Sequence, residues 1–272
     1  MPRGIGRTMI ALLLINAGCY AGLVGVLYVA QRSLLFPGAA MGTGMPPALP
    51  AWGESVLIET PDGETLHALH EPAQPGHATL LFFPGNADSI DHYGFLADMF
   101  SRQGVGLLAL SYRGYGGSTG RPSEAGLLAD GRAAFDWLSA TGQDRVVVLG
   151  QSLGSAVAVE IAAERPVLGT ILVSGFDSVL ALARSFYPFL PVGPLIRDSF
   201  RSDLRVAGAS NPKLFIHGDR DDVVPIRFGR ALFDLAPEPK SFRIYAGYGH
   251  NDLWSQVLVD DIAAFVEDVA GE

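Results

Sequence analysis

The segment 150–154 places a serine where it could act as a nucleophile. Ser152 has a glycine two positions before it and another two positions after it. The apolar run 146–149 precedes this segment, and the small-residue run 155–158 follows it. Such a G-x-S-x-G arrangement predicts a sharp turn between a strand and a helix. The turn exposes the serine oxygen at the positive end of the helix, which is suited to attack on a carbonyl carbon.

A serine hydroxyl needs a base to take its proton and an acid to orient that base. Proteins with this strand–turn–helix segment carry the acid and then the histidine later in the chain. His250 lies in the glycine-containing loop after the last predicted strand, so we predict that it is the base. The acid is expected in the run 219–222, with Asp221 or Asp222 as candidates. Asp177 also follows a predicted strand and preserves the order, so it remains an alternative.

A tetrahedral intermediate needs two backbone N–H groups directed at its oxyanion. We expect the first donor to be Leu153, the residue after the nucleophile. The second should come from the loop 84–87 after an early strand, and we choose Asn86 because Pro84 has no N–H. The glycine-rich loop 113–120 fits neither phosphate-binding pattern and is interpreted as a rim of the active site.

Other classes of function are disfavoured by composition. The net charge of −9 offers no counter-charge to phosphates, so we expect no nucleic-acid partner. The single cysteine, Cys19, allows neither an internal disulfide nor a cysteine-rich metal site. His67 and His70 should point to opposite faces of one strand, and His217 is interpreted as structural. No metal or cofactor is therefore predicted.

The pattern of apolar runs predicts an α/β architecture. Strands are predicted at 56–59, 66–70, 79–83, 105–110, 146–150, 170–174, 213–217 and 242–245. Helices are predicted at 91–103, 123–140, 153–165, 226–236 and 252–269. The first two strands flank Pro61-Asp62-Gly63 and should form an antiparallel hairpin. The later strands alternate with helices and are continuously apolar, which indicates a mostly parallel sheet covered on both faces.

The N-terminus predicts a membrane anchor. Residues 8–30 carry no charge, and 20 helical residues at about 1.5 Å each span a hydrocarbon core of roughly 30 Å. We therefore predict a single-pass anchor at 1–31, a Pro- and Gly-rich linker at 32–54 and a catalytic domain at 55–272. A cleaved signal peptide is the alternative, although its apolar region is usually only about 7–15 residues long. Arg3 and Arg7 precede the helix and only Arg32 follows closely, which predicts a non-cytoplasmic domain. The strong excess of arginine over lysine is typical of a GC-rich bacterium, so that side would be the periplasm.

Several segments together resemble the Bem46-like α/β-hydrolases, over about residues 32–268. The resemblance rests on these segments: 83–87 (FPGNA), 111–116 (SYRGYG), 150–154 (GQSLG), 187–191 (YPFLP), 195–200 (LIRDSF), 217–225 (HGDRDDVVP) and 249–251 (GHN). It implies an α/β-hydrolase fold with a twisted eight-stranded sheet, a short cap at 176–211 and an N-terminal anchor. It also implies Ser152, Asp221 and His250 as a triad, since the family's acid lies three residues after the glycine of H-G-x-x-D. Relatives usually have His-Gly-Asn-Ala in the oxyanion loop, whereas this chain has Pro84.

The expected activity is cleavage of carboxylic esters through an acyl-enzyme. A small-molecule or lipid-like acyl compound is the expected substrate, and aromatic side chains of the predicted cap could line its pocket. Thioesterases and serine peptidases use the same three residues, so both remain alternatives. A non-catalytic binding protein that keeps the fold is the remaining hypothesis. The sequence indicates no particular oligomeric state.

Overall fold

A single eight-stranded sheet forms the centre of the computed structural model, which describes residues 3–41, 53–88, 90 and 94–271. The strands are β1 (Glu54–Glu59), β2 (Thr65–Glu71), β3 (Thr79–Phe83), β4 (Gly106–Leu110), β5 (Val146–Gln151), β6 (Gly169–Val173), β7 (Lys213–Gly218) and β8 (Lys240–Tyr245). Their order across the sheet is β1-β2-β4-β3-β5-β6-β7-β8. All eight predicted strands are confirmed, with ends that differ by two residues at most.

Strand direction follows the expected pattern. β1 and β2 form the antiparallel hairpin, with Glu59 opposite Thr65 across the turn. β2 also pairs antiparallel with β4, and every later pairing is parallel. Because parallel strands end at the same edge, the loops after β3, β5, β7 and β8 meet at one edge of the sheet.

Helices cover both faces of the sheet. The helices are α1 (Arg3–Leu35), α2 (Gly94–Ser101), α3 (Glu124–Ala140), α4 (Leu153–Glu164), α5 (Val179–Phe186), α6 (Val192–Leu195), α7 (Ile226–Leu235) and α8 (Gln256–Gly271). Along β3, Leu81 and Phe83 join the core under α3, α4 and α7, whereas Leu80 and Phe82 join the core under α2 and α8. This two-sided burial explains why the strands are continuously apolar.

The N-terminal helix α1 contains 33 residues and ends at Leu35, where a short 3₁₀ helix (Pro37–Met41) follows. Its segment Met9–Leu35 has a mean hydropathy of 2.1 and is long and apolar enough to cross a membrane. Residues 42–52, about half of the predicted linker, lie outside the described residues. Residues 91–93 of the helix predicted at 91–103 do so as well.

Between β6 and β7 the chain forms a small cap from α5, α6 and two 3₁₀ turns (Ser202–Leu204 and Val206–Gly208). Asp198 joins this cap to two other elements. Its carboxylate accepts hydrogen bonds from the Arg32 side chain at 2.8 and 3.1 Å and from the backbone N–H of Glu124 at 2.8 Å. The cap therefore lies against both α1 and the start of α3.

Candidate active site

Ser152 lies at the turn between β5 and α4. Its backbone has φ 50° and ψ −118°, a positive-φ conformation that residues other than glycine rarely adopt. The turn is tight: a Cβ on Gly154 would lie 2.0 Å from the carbonyl oxygen of Phe83, and one on Gly150 would lie 2.4 Å from that of Gly154. The Ser152 N–H donates to the carbonyl of Val173 at 2.8 Å, which fixes the turn to β6. Strain of this kind is typical of functional sites.

His250 reaches this serine from the loop after β8. Its Nε2 lies 3.0 Å from Ser152 Oγ, and its Nδ1 lies 2.7 Å from Asp221 Oδ2. Because an ionised carboxylate only accepts hydrogen bonds, Nδ1 carries the ring proton. Nε2 is then free of a proton and can accept the one on the serine hydroxyl.

Asp221 is fully buried just after β7 and is held on both oxygens. Its Oδ1 accepts from the backbone N–H groups of Val223 at 3.1 Å and Val224 at 2.7 Å, and its Oδ2 faces His250. Burial acts to raise the pKa of Asp221, but the hydrogen bonds from His217 and His250 outweigh it and keep that pKa well below its ordinary value. The carboxylate therefore stays ionised and can stabilise a protonated imidazole.

The structure brings neither of the other candidate acids to His250. Asp222 is exposed on the surface of the same turn. Asp177 lies at the start of the cap, where burial raises its pKa and where the neighbouring charges are those of Asp203 and Arg201. Of the three carboxylates considered, Asp221 is the one within hydrogen-bond distance of the histidine ring.

His217 also belongs to the site. The sequence alone predicts a structural role for this residue and does not place it next to Asp221. It is fully buried at the end of β7, and its Nε2 donates to the carbonyl of Val224 at 2.7 Å. The same nitrogen lies 3.4 Å from Asp221 Oδ2. His217 thus joins the two ends of the turn that holds Asp221. Its place immediately before Gly218 and four residues before Asp221 was the signal available in the sequence.

The two predicted oxyanion donors belong to segments that both lie next to Ser152. Leu153 is the first residue of α4, and the first N–H groups of a helix have no acceptor within it. The loop after β3 also comes close to the serine, since a Cβ on Gly85 would lie 3.7 Å from the Ser152 Cβ. Asn86 follows directly in this loop.

The position of Asn86 is fixed by three hydrogen bonds. Its side-chain amide donates to the carbonyl of Leu35 at 2.8 Å, at the very end of α1. Its own carbonyl accepts from the Gly38 N–H at 3.1 Å and from the Tyr115 hydroxyl at 2.8 Å. The end of the N-terminal helix is therefore bonded directly to the loop beside Ser152, a connection with no signal in the sequence.

The loop predicted as a rim, 113–120, is bonded to the loop after β3 through Tyr115. The Tyr112 hydroxyl just before it donates to the carbonyl of Pro84 at 3.1 Å and adds a second bond to the loop after β3. Arg113 pairs with Asp130 and Asp62, each at 2.7 Å, and so ties this loop to α3 and to the β1–β2 turn. Within the described part of the chain, no group of three His, Cys, Asp or Glu side chains could hold a metal ion.

The strand order, the serine turn and the helices on both faces define an α/β-hydrolase fold. Solved structures agree. The Pyrococcus furiosus esterase Pf2001 superimposes with a TM-score of 0.65 at 18% identity, over 85% of this chain and 97% of that chain. A membrane phospholipase A, described as a bacterial virulence factor, superimposes with a TM-score of 0.62 at 16% identity, over 100% of both chains. At such identities these likenesses establish the fold alone.

Sequence relatives establish the family. An uncharacterized protein of Mycobacterium tuberculosis is 38% identical over 261 residues, 92% of each chain. Protein bem46 of Schizosaccharomyces pombe is 30% identical over 266 residues, 88% of each chain. The lysophosphatidylserine lipase ABHD12 of Xenopus tropicalis is 30% identical over 212 residues, 70% of this chain and 55% of that protein. The family described as Serine aminopeptidase, S33 matches residues 74–189. The chain belongs to the Bem46-like α/β-hydrolases.

Proposed function

We propose that this α/β-hydrolase cleaves carboxylic esters through an acyl-enzyme formed on Ser152. The observation that carries the proposal is the continuous chain of contacts from Ser152 Oγ to His250 (3.0 Å) and from His250 to Asp221 (2.7 Å). Both distances lie within the range over which a nucleophile, its base and the orienting acid act together. All three side chains are at least nine-tenths buried, so water screens their interactions weakly.

In the acylation step, His250 Nε2 takes the proton of Ser152 as Oγ attacks the ester carbonyl. The resulting imidazolium is stabilised by the ionised Asp221 on its other side. The N–H groups of Leu153 and Asn86 donate to the oxyanion, at the positive end of α4. His250 then gives its proton to the departing alcohol, which leaves the acyl group on Ser152.

Deacylation repeats the sequence with water in place of the serine. His250 takes a proton from water, whose oxygen attacks the acyl carbonyl. When the second tetrahedral intermediate collapses, the proton returns to Ser152 and the carboxylic acid leaves. Each turnover consumes one water and restores all three side chains.

The names of similar proteins favour an ester over an amide. One relative is named a lysophosphatidylserine lipase and one structural neighbour an esterase. A family named for a serine aminopeptidase matches the central segment, which makes a peptidase the second candidate. An apolar helix long enough to cross a membrane favours a lipid-like acyl substrate, because such a substrate partitions into the bilayer. We further propose that α1 anchors the chain with its hydrolase domain on the non-cytoplasmic side.

The test is a comparison of three substrates by the full-length protein in detergent micelles. Wild type should hydrolyse p-nitrophenyl butyrate, whereas leucine p-nitroanilide should be a poor substrate and a butyryl thioester should fall between them. Ser152→Ala should lower ester turnover by at least about 10³-fold without changing the thermal unfolding temperature. Faster cleavage of the anilide than of the ester would replace the esterase proposal with the peptidase. Undiminished turnover by Ser152→Ala would refute the role of the serine.

A further inference from the structure

A cavity of about 270 Å³ lies between the second half of α1 and the cap. Both walls are apolar, with Val24, Leu27 and Leu34 from α1 facing Val179, Ala183 and Leu190 from the cap. The α1 positions recur every three or seven residues, so a single face of that helix forms its wall. Because both walls are hydrocarbon, the cavity is suited to an apolar ligand.

The Gln31 and Asp198 side chains, which also line the cavity, are bonded to other parts of the protein. The Gln31 side chain donates to the carbonyl of Leu195 at 3.3 Å and accepts from the Arg197 N–H at 2.8 Å. Asp198 is paired with Arg32. These bonds join α1 to the cap and fix the two walls relative to each other. A ligand would therefore be bound by apolar contact rather than by these groups.

Ser152 does not line the cavity, but both walls belong to elements that are connected to its surroundings by hydrogen bonds. On the α1 side, Leu35 lines the cavity, and its carbonyl accepts from Asn86 in the loop beside the serine. On the cap side, the Ser152 N–H donates to Val173, the last residue of the strand that leads into the cap. The helix and the cap that form the two walls are thus both attached to elements that contact Ser152 or lie beside it.

The contact between α1 and the cap extends far down the helix. The Tyr20 hydroxyl donates to the carbonyl of Phe189 at the tip of the cap, at 2.8 Å. The 12 uncharged helical residues between Arg7 and Tyr20 span only about 18 Å, less than a hydrocarbon core of roughly 30 Å. If α1 crosses a membrane, the tip of the cap must therefore reach the lipid.

The surface of the cap tip is suited to this position. Phe186, Tyr187 and Phe189 are 46%, 49% and 60% exposed, and all three lie on one turn of the cap. Higher on α1, the Arg197 guanidinium lies 4.3 Å over the ring of Tyr28. Tyrosine and arginine are typical of the boundary between lipid and water. The cavity wall on α1 extends on either side of Tyr28, so in a membrane-anchored chain the cavity would lie at that boundary.

We propose that the cavity binds the acyl chain of a single-chain lipid ester drawn from the membrane, with the ester carbonyl at Ser152. The volume lies just below the roughly 300–1,000 Å³ typical of ligand pockets, which suits one chain rather than two. This inference rests on the esterase activity proposed above. It adds the substrate class and the route of entry.

The cavity is tested by filling it with Ala183→Trp from the cap wall, in full-length protein reconstituted in detergent micelles. The measured quantity is the ratio of kcat/KM for p-nitrophenyl laurate to that for p-nitrophenyl acetate. Each buried methylene favours binding by roughly fourfold, so losing two or more should lower the ratio by at least about tenfold. Ala264→Trp is the matched control because Ala264 is exposed on α8, on the other side of the sheet; its ratio should equal that of wild type.

Val24→Trp, on the opposite wall, repeats the test should the first variant not fold. A binding assay gives a readout that does not depend on turnover. A fluorescent undecanoic acid should bind to Ser152→Ala and be displaced by lauric acid. The double variant Ser152→Ala/Ala183→Trp should not bind it. An unchanged laurate-to-acetate ratio in both tryptophan variants would overturn the cavity proposal and leave the esterase intact. Absence of turnover of either ester by folded wild type would instead overturn the esterase activity.

Discussion

Replacing Asp221 by Asn tests how the buried acid controls the tautomer of His250. The asparagine oxygen can still accept from the N–H groups of Val223 and Val224, which hold Asp221 Oδ1. Its NH₂ group then takes the place of Asp221 Oδ2, which lies 2.7 Å from His250 Nδ1 in the wild-type protein. Two donors cannot share that contact, so the imidazole must move its proton to Nε2. In that tautomer it cannot accept the proton of Ser152.

The expected loss is therefore in kcat and is large. The corresponding acid-to-amide change in the serine-protease triad costs roughly 10⁴-fold, which is about 5.5 kcal/mol of transition-state stabilisation. We expect a similar fall in kcat for p-nitrophenyl butyrate, with KM changed by less than threefold. Asp222→Asn is the matched control, because Asp222 lies next in the chain and is exposed. It should retain wild-type activity.

Thermal unfolding and circular dichroism of both variants separate a lost tautomer from a lost fold. An Asp221→Asn protein that is folded and keeps kcat within tenfold of wild type would refute the role given to the acid. Equal losses in the two variants would refute the choice of Asp221 over its neighbour.

Three other predictions follow from buried contacts. His217→Ala removes the donor to the Val224 carbonyl and should lower kcat about tenfold, and His217→Gln should restore part of the activity because its amide can still donate. In steady-state kinetics, an unchanged KM would identify a positioning role for His217, whereas full activity of the alanine variant would exclude that role. Gly154→Ala would place a Cβ 2.0 Å from the Phe83 carbonyl oxygen. Urea denaturation should therefore show a free energy of unfolding that is lower than that of wild type by about 3 kcal/mol, and a decrease of less than about 1 kcal/mol would contradict the tight turn. Burial lowers the pKa of Lys213 to about 8, so between about pH 8 and 10 the unfolded chain binds more protons than the folded one, and the free energy of unfolding of wild type should rise with pH. Lys213→Met should not show this rise, and the same pH dependence of stability in both proteins would contradict the lowered pKa of Lys213.

The sheet could be predicted because its physical cause is local in the sequence. Strands covered on both faces must be apolar at every position, so runs such as Thr79–Phe83 and Val146–Gln151 stand out as continuous segments. The serine turn is predictable for a similar reason, since Gly150 and Gly154 are required by contacts within a few residues of Ser152 or with the neighbouring strand. The position of the histidine follows from the order of strands.

Features that depend on contacts distant in the chain could not be predicted. Residue types alone left Asp221 and Asp222 as equal candidates, because the difference lies in which carboxylate the turn directs inward to His250. The helix α1 is apolar all round, so its periodicity gave no indication that one face packs on the cap. The bond from Asn86 to Leu35 joins residues 51 positions apart and left no pattern to read.

The central claim is that Ser152 is an activated nucleophile, and labelling by a fluorophosphonate tests it most directly. Full-length wild type, Ser152→Ala and His250→Ala are each treated with the probe, digested and analysed by mass spectrometry. We expect one adduct per chain, on the peptide that contains Ser152, with no adduct in Ser152→Ala and a rate lowered by at least about 10³-fold in His250→Ala. A folded wild type that stays unlabelled, or is labelled equally in all three proteins, would contradict the account.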